Sequence, residues 1–474
     1  MRRRLAIWNA IDVNACCHLA VLAAVLSMSA SGPAWAEGPK KKLENLWTRQ
    51  AGQDWPDFLG PGREGKSSEQ GIWKTWEQRK PRIVWQRELG EGYAIGSISL
   101  GRFFQFDRVG NEARVVCLNA ETGKQIWEHR YPTNYSDLYG YDGGPRCSPM
   151  VEGNRVYTYG AGGMLLCLNA RDGVVRWKTD TVKQFKVVQN FFGVGSTPVI
   201  FENLLLVMVG GSPPEDSTLP PGQLNRVRGN GSAIVAFDKL TGEVRYKISD
   251  ELASYVSPRI DWIDGRPWCF SLCRGGLLAF DPRNGKRDFH FPWRARLMES
   301  VMVSVPVVHG NEVLITETYG PGSCLLKIGP TGHEVLWQDD VRKREKAFQG
   351  HMMTPILVDG FLYGCSGRNP PVDVRCVEWK TGKVTWKLGN QYRSSLLYVD
   401  GHFVSLDENG RLQLLKVDPK AYTKVAEWHL GAQDSLGKNK NLKYPCWAAP
   451  ILSHGLLYLR GKDRVVCLEL ISDR

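Results

Sequence analysis

Three short segments of the chain concentrate side chains that ligand-binding sites use. They contain the aromatic, amide and charged residues Tyr139, Tyr141, Asp142, Arg146, Gln189, Asn190, Phe192, Tyr444 and Trp447. Aromatic rings stack on flat or apolar ligand faces, whereas charged and amide groups fix the polar groups of a ligand. We therefore treat these residues as binding candidates, with aromatic cover of a protein rim as the alternative interpretation.

His351 is a further candidate because it stands beside Met352 and Met353. Imidazole and thioether groups bind copper, but no partnering motif accompanies this trio, and packing beside a strand is the other interpretation. We assign no metal site and keep His351 as a ligand-binding candidate. The sequence contains no Gly-rich phosphate loop, serine hydrolase elbow or zinc-ligand spacing. No catalytic residue is assigned, and nucleophilic and hydrolytic enzymes are disfavoured.

Several cysteines in the chain occupy positions typical of a core. Four of them stand where other repeat units have alanine: Cys117, Cys167, Cys376 and Cys467. Cysteine behaves as a small hydrophobic residue when buried, so we interpret these four as packing residues. Cys365 and Cys376 flank a turn, and a disulfide across that hairpin is left open for an oxidising compartment.

The elements that must position these residues come from a repeated unit. Each copy has an apolar strand, a turn that mostly contains glycine, and a short strand that closes on an aromatic residue. The closing aromatics are Trp127, Trp177, Tyr246, Phe289, Trp337, Trp386 and Trp428, spaced 42 to 69 residues apart. Glycine supplies the positive φ of a tight hairpin, and the aromatic ring is large enough to fill space between units. The period predicts one four-stranded propeller blade per unit.

A second element precedes most copies and consists of a small residue, a proline and an apolar strand. The instances are Ser148-Pro149, Thr197-Pro198, Ser257-Pro258, Val305-Pro306, Thr354-Pro355 and Ala449-Pro450. Proline lacks an amide hydrogen and belongs at the start or edge of a strand. We therefore predict that these are the innermost strands, with the binding candidates in the loops that enter them and converge on an axial funnel.

The two ends of the repeat region complement each other. The last unit stops near Glu469 without a closing aromatic, whereas residues 82–87 form a closing strand with no unit before it. The N-terminal strand therefore completes the last blade and hides its edge. The sequence predicts an all-β, eight-bladed propeller of four-stranded antiparallel blades, in preference to an open solenoid.

The N-terminal residues read as a targeting segment. Arg2 to Arg4 precede an apolar run from Leu19 to Met28, and Ala34-Trp35-Ala36 resembles a cleavage site. A membrane anchor is the competing interpretation, but the run is shorter than the roughly 20 residues that span a bilayer. We predict a signal peptide over residues 1–36, a linker and lead-in over residues 37–80, and the propeller over residues 81–474. The protein is expected to be exported, periplasmic or extracellular, without a membrane span.

The net charge of the chain is +12 at pH 7. A diffuse basic surface favours anionic envelope polymers or nucleic acid. No nucleic-acid motif supports the second partner, so we predict no nucleic-acid binding.

The repeat resembles the pyrroloquinoline-quinone-like propeller repeat of quinoprotein alcohol dehydrogenases and of the propeller lipoprotein in the outer-membrane barrel-assembly machine. The resemblance covers roughly residues 80–470, and the segment from Asp54 to Gly65 looks like the lead-in of exported bacterial propellers that are commonest in planctomycetes. It implies the propeller fold and leaves the activity open, since one fold hosts many functions.

A resemblance to the dehydrogenases of this family would imply catalytic features in addition to the propeller blades. They use a catalytic aspartate, calcium held by carboxylate and amide oxygens, a tryptophan under the quinone and often a disulfide between adjacent cysteines. Beyond residue 36 the chain has no adjacent cysteine pair, and no stretch matches the aspartate and calcium segments.

The sequence thus favours a non-catalytic, monomeric binding or scaffolding propeller of the cell envelope, with a protein or envelope polysaccharide partner and no cofactor. The alternative is a quinoprotein oxidoreductase that uses pyrroloquinoline quinone with calcium. Recognition of an anionic polysaccharide remains a third interpretation.

Overall fold

A computed structural model describes residues 42–297, 300–330, 332–431 and 441–473. The signal peptide predicted over residues 1–36 lies outside these ranges. From Leu43 onward the chain forms one compact unit. Within the described ranges, no helix is long and apolar enough to cross a membrane.

The described residues form eight four-stranded sheets, which are the blades. Blade 1 consists of β2 (Ser97–Ser99), β3 (Arg102–Val109), β4 (Glu112–Asn119) and β5 (Gln125–Pro132). Blade 2 consists of β6 (Met150–Glu152), β7 (Arg155–Tyr159), β8 (Met164–Asn169) and β9 (Val175–Asp180). Blade 3 consists of β10 (Val199–Phe201), β11 (Leu204–Met208), β12 (Ile234–Asp238) and β13 (Val244–Ile248). Blade 4 consists of β14 (Arg259–Ile263), β15 (Arg266–Leu272), β16 (Gly276–Phe280) and β17 (Arg287–Pro292).

The second half of the ring repeats this order. Blade 5 consists of β18 (Val307–His309), β19 (Glu312–Glu317), β20 (Gly322–Gly329) and β21 (Gly332–Gln338). Blade 6 consists of β22 (Ile356–Val358), β23 (Phe361–Ser366), β24 (Val372–Glu378) and β25 (Val384–Gln391). Blade 7 consists of β26 (Ser394–Val399), β27 (His402–Asp407), β28 (Arg411–Lys416) and β29 (Thr423–His429). Blade 8 consists of β30 (Ile451–Ser453), β31 (Leu456–Arg460), β32 (Arg464–Glu469) and β1 (Arg82–Glu88).

Helical structure in the described ranges is confined to short connections. The α-helix α1 spans Thr181–Phe185, and its first turn is capped by the Asp180 side chain. Two single turns of 3₁₀ helix, Asp216–Thr218 and Leu224–Arg226, lie in the long connection within blade 3.

The N-terminal strand closes the ring as predicted. Strand β1 pairs antiparallel with β32, in a register that places Arg82 opposite Glu469 and Glu88 opposite Arg464. The all-β, eight-bladed architecture is therefore confirmed.

The closing aromatics join each blade to the next. Trp127 Nε1 donates to the Ala170 carbonyl at 3.0 Å. The Trp127 ring also covers the turn of blade 2, where a Cβ on Gly173 would lie 2.5 Å from the ring. Gly173 has φ = 74°. Glycine is thus needed there both for its backbone conformation and for the close approach of the ring.

The core cysteines stand opposite these aromatics. Cys117 pairs with Trp127 across strands β4 and β5, and Cys167 pairs with Trp177 across β8 and β9. A small side chain leaves room for the large ring on the facing strand, so the packing role predicted for the cysteines is confirmed.

The hairpin disulfide is not formed. Cys365 lies opposite Val374, and Cys376 lies opposite Tyr363, so the two cysteines are offset along strands β23 and β24. Both are free and buried. The turn between these strands is not centred between the two cysteines, and this offset separates them. Burial raises the pKa of the Cys365 thiol to about 11, which keeps it protonated and unreactive.

Hydroxyl groups tie the inner strands together around the axis. The Ser148 amide donates to Thr197 Oγ1 at 3.3 Å, and the Thr197 amide donates to Ser257 Oγ at 2.9 Å. The Val305 amide donates to Thr354 Oγ1 at 3.0 Å. These three hydrogen bonds link neighbouring blades, which explains the hydroxyl side chains of Thr197, Ser257 and Thr354.

The lead-in segment, residues 43–80, runs across the ends of the inner strands. Its Pro56 carbonyl accepts from Val151 of β6, and its Gly65 carbonyl accepts from Tyr398 of β26. The Glu69 carboxylate accepts from the amides of His454 and Gly455 in the turn after β30. The segment therefore links blade 2 with blades 7 and 8.

Candidate functional site: the axial cavity

A cavity of about 400 Å³ lies on the propeller axis. Most of its wall comes from the connections that enter the first strand of each blade and from the loops between second and third strands. The wall includes Tyr93, Ile95, Tyr141, Arg146, Ser148, Phe192, Thr197, Tyr255, Ser257, Val303, Tyr319, His351, Met353, Arg368, Arg393, Tyr444 and Trp447. The volume falls within the range of about 300–1,000 Å³ typical of small-molecule sites.

Six of the ten residues singled out from the sequence line this cavity. They are Tyr141, Arg146, Phe192, His351, Tyr444 and Trp447. They come from connections of blades far apart in the chain, so the structure brings them together as the predicted funnel requires. Their role in binding stays a prediction.

The other four candidates lie outside the cavity wall. Tyr139 is half exposed and stacks on Phe191 with ring centroids 5.6 Å apart. Asp142 is buried and accepts from the Gly144 amide at 2.7 Å. Gln189 donates to the Ala161 carbonyl. Asn190 is buried and accepts from the backbone amide of its neighbour. These residues shape the loops that carry the lining residues.

Arg146 is held in a fixed orientation at the cavity wall. Its guanidinium donates to Asp137 at 3.2 Å and to the carbonyls of Gly144 and Asp142. The same Asp137 carboxylate accepts from several backbone amides of the loop, so it organises both the loop and the arginine. The guanidinium carbon lies 5.8 Å from the Tyr93 ring centroid and 5.9 Å from that of Phe192.

Arg393 and Trp447 share one buried carboxylate. Arg393 Nη2 lies 2.7 Å and Trp447 Nε1 lies 2.9 Å from Glu408 Oε2. The Arg393 guanidinium carbon lies 5.0 Å from the Trp447 ring centroid. Trp447 in turn packs against Tyr93 at 4.8 Å. Arginine and aromatic side chains thus form a continuous belt along this side of the cavity.

Tyr319, His351 and Arg368 form the adjoining part of the wall, next to Arg393. The Arg368 guanidinium carbon stands 4.4 Å from the Tyr319 ring centroid. The Tyr319 hydroxyl lies 3.4 Å from His351 Nε2. Arg368 is exposed, and no carboxylate in the described part of the chain forms an ion pair with it.

Burial, together with Arg393 and Arg368 nearby, lowers the pKa of His351 to about 3. The imidazole is therefore neutral at physiological pH. It contributes a hydrogen-bonding group and no charge to the cavity.

Because this pKa lies below its ordinary value of about 6.5, the unfolded chain binds more protons than the folded chain between these two values. Stability is expected to fall as the pH falls through this window. His351→Gln should lose less stability than the wild type between pH 7 and pH 4, measured by urea unfolding. Parallel profiles for His351→Gln and the wild type would contradict this account.

The lead-in segment forms the other end of the cavity wall through Phe58, Leu59, Glu64 and Gly65. Glu64 is the acidic residue of the lining. Its carboxylate lies 2.9 Å from Lys66 Nζ and 3.5 Å from Arg259 Nη2, so its charge is already balanced.

The sequence did not single out Tyr93, Tyr255, Tyr319, Arg368 or Arg393, all of which line the cavity. Tyr255 stands two residues before the Ser257-Pro258 pair, a signal that could have identified it. Burial raises the pKa of Tyr93 and Tyr255, so both phenols remain protonated. Arg393 precedes an inner strand without the proline that marks most others, and this is why it was missed.

The lining does not fit a quinone cofactor with calcium. Calcium requires several oxygen ligands, mostly carboxylates. Glu64 is already paired, and no cluster of three or more His, Cys, Asp or Glu residues suited to a metal occurs within the described ranges. A carboxylate base beside an open cation position is likewise absent from the described wall.

Fold and cavity together define a class: a closed eight-bladed propeller with an aromatic, arginine-bearing axial cavity. The chain belongs to the family described as "Outer membrane protein assembly factor BamB", whose profile matches residues 69–208 and 111–388. No curated protein sequence matches the chain significantly.

Two solved structures are similar to this chain. BamB from Moraxella catarrhalis is 13% identical, with a TM-score of 0.50 over 82% of this chain and 97% of that chain. The quinohemoprotein alcohol dehydrogenase from Comamonas testosteroni is also 13% identical, with a TM-score of 0.48 over 89% of this chain and 81% of that chain. At this identity the similarity concerns the fold alone.

Proposed function

We propose that this protein is a non-catalytic binding or scaffolding propeller of the cell envelope that holds a protein or glycan partner at its axial cavity. The observation that carries the proposal is the composition of the cavity wall. Aromatic rings and arginines line it, and its acidic residue, Glu64, is neutralised by Lys66 and Arg259. Such a wall stacks and pairs with a ligand but offers no poised acid or base. Membership of the BamB family supports an envelope location and a role in protein interaction.

The test is capture from envelope extract by the immobilised protein, with bound species identified by mass spectrometry. Val303→Trp should fill the cavity and remove the specifically bound species, because Val303 is part of the wall. Val335→Trp is the matched control, since Val335 is exposed on the outer strand β21 of the same blade. Equal capture by the two variants would refute the cavity as the binding site.

The protein is expected to show no quinone-dependent turnover. Incubated with pyrroloquinoline quinone and calcium, it should not reduce an artificial electron acceptor with any alcohol or sugar of a panel. The reason is that the described wall of the cavity offers neither a cage of oxygen ligands for a cation nor a carboxylate base, and arginine cannot relay a proton. Turnover above a quinone-only blank that disappears when calcium is chelated would establish an oxidoreductase instead.

A further inference from the structure

We propose that the axial cavity binds the acidic end of a saccharide and that Arg368 pairs with its carboxylate. This inference rests on the proposed function and names the ligand class. It follows from the charges, the ring faces and the hydroxyl groups of the cavity wall.

The charges point to an anionic ligand group on one side of the cavity. Arg393 and Arg146 are each satisfied by an internal carboxylate, at 2.7 Å from Glu408 and 3.2 Å from Asp137. Arg368 differs because it is exposed and has no ion-pair partner in the described part of the chain. Its guanidinium carbon lies 4.4 Å from the Tyr319 ring centroid, so the ring supports the guanidinium at the cavity wall. A planar guanidinium in this setting matches a carboxylate geometrically.

The ring faces point to a ligand with apolar as well as polar surface. Tyr444 and Tyr141 remain 51% and 62% exposed at the mouth of the cavity. Behind them, Trp447 and Tyr93 continue the aromatic wall. Sugar rings combine an apolar face of C–H groups with a rim of hydroxyls, and aromatic side chains cover such faces well.

The hydroxyl groups of the inner strands supply partners for the hydroxyls of a sugar. Ser148, Thr197, Ser257, Thr354 and Ser395 all line the cavity. Ser148 Oγ is buried and has no hydrogen-bond partner in the described part of the chain. A buried hydroxyl without a partner is costly, and a ligand hydroxyl would satisfy it.

The size of the cavity favours the end of a saccharide chain over an internal segment. The cavity volume of about 400 Å³ is bounded by the lead-in residues Phe58 and Leu59, so a polymer cannot thread along the axis. An acidic sugar at a chain terminus, or a short acidic oligosaccharide, satisfies this limit.

The probe is trigalacturonic acid, measured by isothermal titration calorimetry with maltotriose as the neutral sugar and triglutamate as the acidic peptide. Trigalacturonate is expected to bind the wild type at least tenfold more tightly than either comparison ligand. Arg368→Gln should weaken trigalacturonate at least tenfold and leave maltotriose unchanged. Arg287→Gln is the control, because it removes an exposed arginine from the outer strand β17. Raising the salt concentration should weaken the acidic ligand more than the neutral one.

Equal binding of trigalacturonate and maltotriose, or no effect of Arg368→Gln, would overturn the inference. If triglutamate binds more tightly than trigalacturonate and this binding is lost in Arg368→Gln, the ligand class is an acidic peptide and not an acidic saccharide. If none of the probes binds but Val303→Trp still abolishes capture from extract, the acidic saccharide is wrong and the proposed function stands. Capture that is insensitive to Val303→Trp refutes the proposed function itself.

Discussion

Deletion of residues 81–89 is expected to unfold or aggregate the protein under conditions in which the wild type is folded. The deletion removes β1, the outer strand of blade 8, and leaves β32 as an open edge. It also removes Trp85, whose indole donates to the Ala120 carbonyl of blade 1 at 2.8 Å. Loss of one large buried aromatic costs about 3–5 kcal/mol. A typical domain has a free energy of unfolding of about 5–15 kcal/mol. The loss of this ring together with a whole strand is therefore expected to remove most of that free energy.

The deletion is measured by thermal unfolding and by light scattering. An exposed, unpaired strand is a template for association, so aggregation is an accepted outcome alongside a lowered melting temperature. Gln86→Ala is the control, because this exposed side chain can be shortened without disturbing the strand pairing. A deletion variant that melts at the wild-type temperature would contradict closure by β1.

Replacement of Trp127 or Trp177 by alanine is expected to lower the free energy of unfolding by about 3–5 kcal/mol. Both side chains are buried, and each indole donates to a backbone carbonyl of the next blade, Ala170 for Trp127 and Lys239 for Trp177. Each substitution therefore empties a large site. Trp127→Ala also leaves the buried Ala170 carbonyl without its indole donor, whereas the Lys239 carbonyl keeps the Tyr157 hydroxyl as a donor. The change is measured by urea unfolding.

Trp262→Ala is the matched control for these two substitutions. Trp262 is 60% exposed on β14, so its replacement should change the free energy of unfolding by no more than about 0.5 kcal/mol. The loss in the free energy of unfolding for Trp127→Phe should lie between those for Trp127→Ala and Trp262→Ala, because phenylalanine keeps a ring but lacks the indole donor. If Trp127→Ala costs under about 1 kcal/mol, the closing aromatics do not join the blades.

The ring of blades was predictable because each unit repeats the same local physics. A closing aromatic such as Trp127 recurs in all seven copies and a turn glycine such as Gly173 in most of them, and the sequence shows both directly. Closure of the ring was predictable because residues 82–87 form a strand with no unit before it, and the last unit lacks a strand after Glu469. Each of these features is encoded by residues that lie close together in the sequence, so each is recognisable without knowledge of the fold.

The cavity was only partly predictable because its contacts join residues far apart in the chain. Glu408 of blade 7 aligns both Arg393 and Trp447, and no local pattern reveals that a buried carboxylate would do so. Arg368 lies in a turn that reads as ordinary surface until Tyr319 of the preceding blade packs against it. The offset of Cys365 and Cys376 likewise follows from strand register, which the sequence leaves undetermined.

The central claim, that the ligand occupies the axial cavity, is tested most directly by hydrogen–deuterium exchange before and after loading with the species captured from envelope extract. Binding at the cavity should slow exchange in the connections that form its wall, at residues 133–147, 187–197, 392–396 and 442–449. The outer strands β9, β17 and β25 should exchange at unchanged rates, since they lie at the far edge of each blade. Protection confined to those outer strands, with unchanged exchange in the four connections, would contradict the account.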